Sequence, residues 1–149
     1  MKNRFFALAL LPLLMLHSCS DDDGITLSEP SVTPAELMGK WRYDKQMFAL
    51  NHVTQPTVPY AGNEEGCPAD FLQFTAQQLT SGDYGAGCNL DQTTGTWSVS
   101  HRTIQMSLGG QTSTFFVEQI TPTTMQLKQL DTGDNVYRFS FVKAVTPST

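Results

Sequence analysis

Thr96-Trp97-Ser98-Val99-Ser100-His101-Arg102-Thr103-Ile104-Gln105-Met106-Ser107-Leu108-Gly109-Gly110-Gln111-Thr112 is the stretch that decides the fold class. Trp97 and Val99, then Ile104 and Met106, take every second position. That is the period of a strand with one buried face, not of a helix. Between the runs stand His101-Arg102 and Gly109-Gly110. Both links are hairpin sized, and a glycine pair suits a primed turn, whose central residues need positive φ.

The same rule holds outward in both directions. Near the C-terminus Tyr137, Phe139 and Phe141 alternate with Arg138, Ser140 and Val142, and near the start Trp41 and Tyr43 repeat the spacing. Strands are expected at 41–48, 70–75, 79–84, 96–100, 103–108, 112–121, 124–130 and 136–143. Short links at 76–78, 122–123 and 131–135 make successive strands antiparallel neighbours. Eight such strands with one apolar face either close or form a sandwich, and closure removes exposed edges. The expectation is an all-β, eight-stranded antiparallel up-and-down meander barrel. Two connections are read as loops: 49–69, with Pro56, Pro59, Tyr60 and Gly62, and 85–95. Before the strands, Thr33-Pro34-Ala35-Glu36-Leu37-Met38 has a capping residue, a proline and a glutamate three after the cap. This predicts one short helical turn, ended by Gly39.

The domain expected at 33–149 follows a different kind of sequence. Residues 1–18 carry Lys2 and Arg4, then an apolar run from Phe5 to Leu16, the layout of a secretory signal peptide. Leu16-His17-Ser18-Cys19 resembles a bacterial lipobox. The resemblance implies lipid on the Cys19 sulfur, cleavage before it, and acylation, with palmitate for example, of the new amino terminus. The membrane would then be a partner through that anchor. Residues 19–32 read as a lipidated acidic tether, and Asp21-Asp22-Asp23 resembles the surface-export signals of some outer-membrane lipoproteins. A lipid-anchored place in the cell envelope, at the outer membrane and facing outward, is the expectation.

Without Lys2 and Arg4 the chain keeps seven basic residues against fourteen acidic ones, a formal charge of −7. That argues against nucleic acid, which needs a clustered basic surface. With Cys19 lipidated, Cys67 and Cys88 remain in an exported chain, where a disulfide is the default. They lie symmetrically about the turn expected at Gln77-Gln78, flanking the open end of a hairpin.

Glu36-Leu37-Met38-Gly39-Lys40-Trp41, a helical turn running into Gly-x-Trp, resembles the opening of lipocalins. More specifically, 34–143 resembles the lipocalin-like domain of small bacterial lipoproteins, a calycin-type barrel. The matching stretches are Cys67-Pro68-Ala69-Asp70-Phe71-Leu72-Gln73-Phe74, Gly95-Thr96-Trp97-Ser98-Val99, Ile120-Thr121-Pro122-Thr123-Thr124-Met125-Gln126-Leu127 and Tyr137-Arg138-Phe139. The resemblance implies that Trp41 packs near one end and that the 49–69 loop covers the opposite mouth. Lipocalins often stack a late arginine on that tryptophan. Arg138 falls on the polar phase of its strand, so that role is not carried over.

No catalytic motif is present: no Gly-x-Ser-x-Gly, no His-Glu-x-x-His and no phosphate loop. No enzyme activity, cofactor or metal is expected. His52 and His101 read as turn residues, and Asp70 and Asp83 as strand-end carboxylates bonded to backbone. Two functions remain. One is binding of a small apolar or amphipathic molecule in the barrel mouth, with Trp41, Tyr43, Phe71, Trp97, Met106, Met125, Tyr137 and Phe139 as inward candidates. The other is a non-catalytic structural or interaction role in the envelope with a filled barrel, using exposed Val58, Pro59 and Tyr60.

Overall fold

Eight antiparallel strands pair in chain order and close when the last meets the first. The computed structural model describes residues 30–130 and 135–145. The expected signal, Cys19 and tether residues 20–29 lie outside the described residues, as do 131–134 of the last hairpin. The elements are α1 (Pro34–Leu37), β1 (Gly39–Leu50), β2 (Val53–Thr54), β3 (Val58–Pro59), β4 (Phe71–Phe74), β5 (Leu79–Gly85), β6 (Asn89–Ser100), β7 (Thr103–Leu108), β8 (Gln111–Ile120), β9 (Thr124–Leu130) and β10 (Val136–Lys143). Closure is made by β10 on β1, from Trp41 opposite Lys143 to Ala49 opposite Val136. The short β2 and β3 both hang on β1, outside the barrel circuit.

One end of the barrel is plugged. The Thr33 amide and hydroxyl both donate to Glu36 Oε2 at 2.7 Å, fixing the single turn of α1. These bonds hold the Glu36 carboxyl below its ordinary pKa. The turn sets Leu37 fully buried under the strands, and its carbonyl accepts the Trp41 indole N–H at 2.7 Å. Phe74, Leu79, Ile104, Met125 and Phe141 complete this lower core. Val32 N–H donates to the His101 carbonyl at 2.7 Å and Ala144 N–H to the Lys40 carbonyl at 2.8 Å. Both described ends of the chain therefore sit at the plugged end.

Sequence and structure part in two connections. The 49–69 segment is not all loop: β1 runs on to Leu50 and pairs with β2, while β3 lies against Lys45 and Gln46. The 85–95 segment is mostly strand. Only a 3-10 turn at Ala86–Cys88 separates β5 from β6, which pairs with β5 from Asn89 onward. The inward positions there are Asp91, Thr93 and Gly95, so backbone pairing makes a strand without the apolar alternation that announces one. Cys67 and Cys88 form a disulfide, with Cα atoms 5.2 Å apart. It ties the long first loop to the β5–β6 turn. Among the described residues, no helix is long and apolar enough to cross a membrane.

Candidate functional site: the barrel mouth beneath the first loop

A bulge at Asp44 changes the phase of β1. Below it Trp41 and Tyr43 face inward, and above it Gln46 and Phe48 do. The bulged residue also pins the loop, since its carbonyl accepts the Tyr60 amide at 3.0 Å. Asn63 continues the fastening: its Nδ2 donates to the Tyr43 carbonyl at 3.1 Å and its Oδ1 accepts the Asp70 amide at 2.9 Å. Buried Asp70 then accepts the Tyr84 amide at 2.7 Å, the backbone bond expected of it.

The loop so held lays the Tyr60 ring on the Tyr43 ring, with centroids 4.2 Å apart and planes within 16°. Phe139 stands edge-on to both, at 6.1 and 6.2 Å. Beside this stack lies a cavity of about 130 Å3, lined by Tyr43, Leu72, Ser81, Met106, Leu108, Gln111, Ser113 and Phe115. Its wall is mixed, with Ser81 beside Leu72, Ser113 beside Met106 and Gln111 beside Leu108.

The rim is acidic. Asp83 on β5 lies directly opposite Asp91 on β6, in the phase of inward-facing Ser81 and Thr93. Burial, then the nearby Asp70 charge, push the Asp83 carboxyl above its ordinary pKa, against a weaker opposing hydrogen bond from Ser81. Burial pushes the Tyr43 phenol up strongly, helped by Tyr60, Asp83 and Asp70. Tyr60 shifts upward for the same reasons, burial first.

The candidate residues divide by height in the barrel. Tyr43 and Met106 line the chamber, and Phe139 stands edge-on to Tyr43. Tyr137 lies near the mouth, edge-on to Phe48 at 5.3 Å. Trp41 and Met125 are fully buried in the lower core, and Trp97 packs there on Phe74 at 5.1 Å, its indole bonded to the Thr75 carbonyl. Phe71 is a correction. It pairs with Arg42 and Gly82, the outward phase of β4, because Leu72 takes the inward position opposite Trp41. Its ring is nonetheless buried, lying over Gly82 beneath the Lys40 ammonium, 3.4 Å from its centroid. Tyr60 is a second correction: expected as an exposed contact, it folds into the mouth, while Val58 and Pro59 stay exposed.

Residues missed from sequence are Leu72, Ser81, Leu108, Gln111, Ser113 and Phe115 of the chamber and Asp91 of the rim. The polar ones carry no periodic signal on an inward phase, whereas Phe115 and Leu72 each have an apolar neighbour on the other phase, Phe116 and Phe71, that blurs the alternation. Outside the barrel, a groove of about 340 Å3 crosses β1, β10 and β9 between Lys45, Met47, Thr57, Gln126 and Arg138. Arg138 is on this outer face, as its phase predicted, and its Nε meets both Glu118 carboxylate oxygens at 2.8 and 2.9 Å. Among the described residues, no group of three or more His, Cys, Asp or Glu could hold a metal ion.

Known proteins place this architecture. The family model for the lipocalin-like domain matches residues 37–127. A lipocalin-like protein from Bacteroides uniformis superposes with a TM-score of 0.56 at 15% identity, over 73% of this chain and 99% of that one. A protein from Bacteroides eggerthii superposes with a TM-score of 0.54 at 12% identity, over 72% and 99%. No curated protein matches the chain by sequence. From the plug and Gly-x-Trp opening to the closing strand pair, and by a family match over most of the barrel, the chain belongs to the family of lipocalin-like domains.

Proposed function

We propose that the chain is a lipid-anchored, non-catalytic protein of the bacterial envelope whose barrel mouth takes a small amphipathic molecule under the first loop. The observation that carries this reading is the Tyr60 ring stacked on Tyr43, which borders the chamber. A loop held by named hydrogen bonds and a disulfide, with one ring folded into the mouth, has the form of a lid. The chamber is small against the roughly 300–1,000 Å3 of ordinary ligand pockets. A long acyl chain does not fit it, and a molecule of a few heavy atoms does. Anchoring through Cys19, and the outer membrane as its site, rest on the lipobox-like end and the acidic run after it.

A second reading is a structural or interaction protein, favoured by the solid lower core and by exposed Leu50, Val53 and Val58 around the first loop. Native mass spectrometry of the protein isolated from its own host separates the two. A small molecule retained at one per chain supports carriage, and repeated recovery of bare protein overturns it. Fractionation of Cys19→Ala checks the anchor: the variant should leave the membrane fraction while staying folded.

A further inference from the structure

We propose that the groove on the outside of the barrel is a second binding site, one that takes a phosphate monoester between Lys45 and Arg138. The site is separate from the mouth and does not depend on the binding role proposed there.

Three rungs cross the outer faces of β1, β10 and β9. Arg42, Val142 and Thr124 form the one nearest the plug, Lys45, Ser140 and Gln126 the middle one, and Met47, Arg138 and Lys128 the one nearest the mouth. The bulge at Asp44 makes the middle rung, because the extra residue turns Lys45 outward and sets it opposite Ser140. Four of the seven basic residues at 30–145 therefore stand on one patch of a chain whose formal charge is −5. Their charges are not balanced. Arg138 and Lys128 are direct register partners, an arrangement of like charges that destabilises an antiparallel pair. One carboxylate serves both, since Glu118 lies 2.8 Å from Arg138 Nε and 3.9 Å from Lys128 Nζ. Lys45 is exposed and is in none of the ion pairs among the described residues. Asp44 also lines the groove, so the patch sets four cations against two carboxylates, a surplus that a dianion matches.

The groove adds shape to the charge. Its volume of about 340 Å3 falls within the roughly 300–1,000 Å3 of ordinary ligand pockets, room for a phosphate with a short organic group. Glu118 fixes the Arg138 guanidinium by its Nε edge. Nη1 is turned to Met47, 3.8 Å from its sulfur, and Met47 lines the groove. A terminal nitrogen of the fork therefore faces the groove, on a planar group whose opposite edge is already held. Thr57, Gln126 and Ser140 line the groove as well and supply neutral donors for the remaining phosphate oxygens. A neutral molecule would leave the surplus charge unmet, and a cation would add to it.

The test is calorimetric titration of the full chain in neutral detergent, with glycerol 3-phosphate as the monoester and glycerol as its uncharged control. The phosphate should bind and glycerol should not. Lys45→Gln should weaken binding about tenfold, the loss of one hydrogen bond to a charged group, and Asp44→Asn should strengthen it. Both side chains are exposed, so circular dichroism should show an unchanged barrel in each variant. Phosphatidic acid added to the micelles separates two sources of a monoester. Displacement of glycerol 3-phosphate by it assigns the groove to a lipid headgroup, no displacement assigns it to a free monoester, and either sustains the inference. Binding of neither glycerol 3-phosphate nor phosphatidic acid, equal binding of glycerol, or an affinity that neither variant moves overturns it.

Discussion

The ammonium of Lys143 lies 4.7 Å from the centre of the Trp41 ring, the two residues being register partners where β10 closes on β1. Lipocalins often put a late arginine on the corresponding tryptophan. Here the cation comes five residues after Arg138, from the inward phase of the same strand. Trp41 is thus held from two sides, by the Leu37 carbonyl at its indole N–H and by a charge at its face.

Gly39 lies beside the Lys143 tip at φ +118°, and a Cβ built there would meet Lys143 Cε at 2.9 Å. The lysine tip can move, but the backbone angle cannot be relieved that way. Gly39→Ala should cost about 1–3 kcal/mol of stability, seen as a lowered thermal midpoint. Adding Lys143→Ala should not restore it. Restoration would make the contact, and not the backbone, the cause.

The disulfide closes a segment that contains all of β4 and β5. Replacing both Cys67 and Cys88 by Ser should lower stability by about 3 kcal/mol on the chain-entropy model. Urea unfolding with and without reductant provides the check. Reductant should bring the native protein down to the variant's midpoint and leave the variant unmoved.

Phe71 is buried on the outside of the barrel over Gly82, so its loss should affect stability and not binding. Phe71→Ala is expected to cost about 3 kcal/mol while leaving ligand retention unchanged. Phe139→Ala should lower both. A loss of retention in Phe71→Ala, at a temperature where the variant is folded, would contradict the outward placement.

The raised pKa of Asp83 gives a signed pH effect. A carboxyl that holds its proton more tightly when folded opposes folding once ionised. The penalty is fully present above the raised value and disappears as pH falls through it towards the unfolded carboxylate range. Asp83→Asn should therefore be more stable than the native chain at neutral pH. The advantage should shrink to nothing in acid, as denaturation midpoints across that range would show. An advantage that is constant with pH would point to packing instead.

The barrel was legible in the sequence because most of its strands bury an apolar face. Trp97 with Val99, Ile104 with Met106 and Tyr137 with Phe139 announce their phase. The mouth was less legible for the opposite reason. Asp91 and Thr93 face inward without being apolar, and Gly95 has no side chain, so the first half of β6 read as loop. On β4, Phe71, Leu72 and Phe74 place apolar groups on both phases, and only the register opposite Trp41 decides that Leu72 points in. Tyr60 looked exposed because a proline-rich loop gives no hint of the Asp44 and Asn63 bonds that fold it inward.

The plug of α1 also orients the molecule. Both described chain ends lie at that end, so the proposed anchor at Cys19 would hold the barrel like a cup by its base, on the side away from the opening. A ligand of the mouth would then enter from the side opposite the anchor, past the paired rim carboxylates of Asp83 and Asp91.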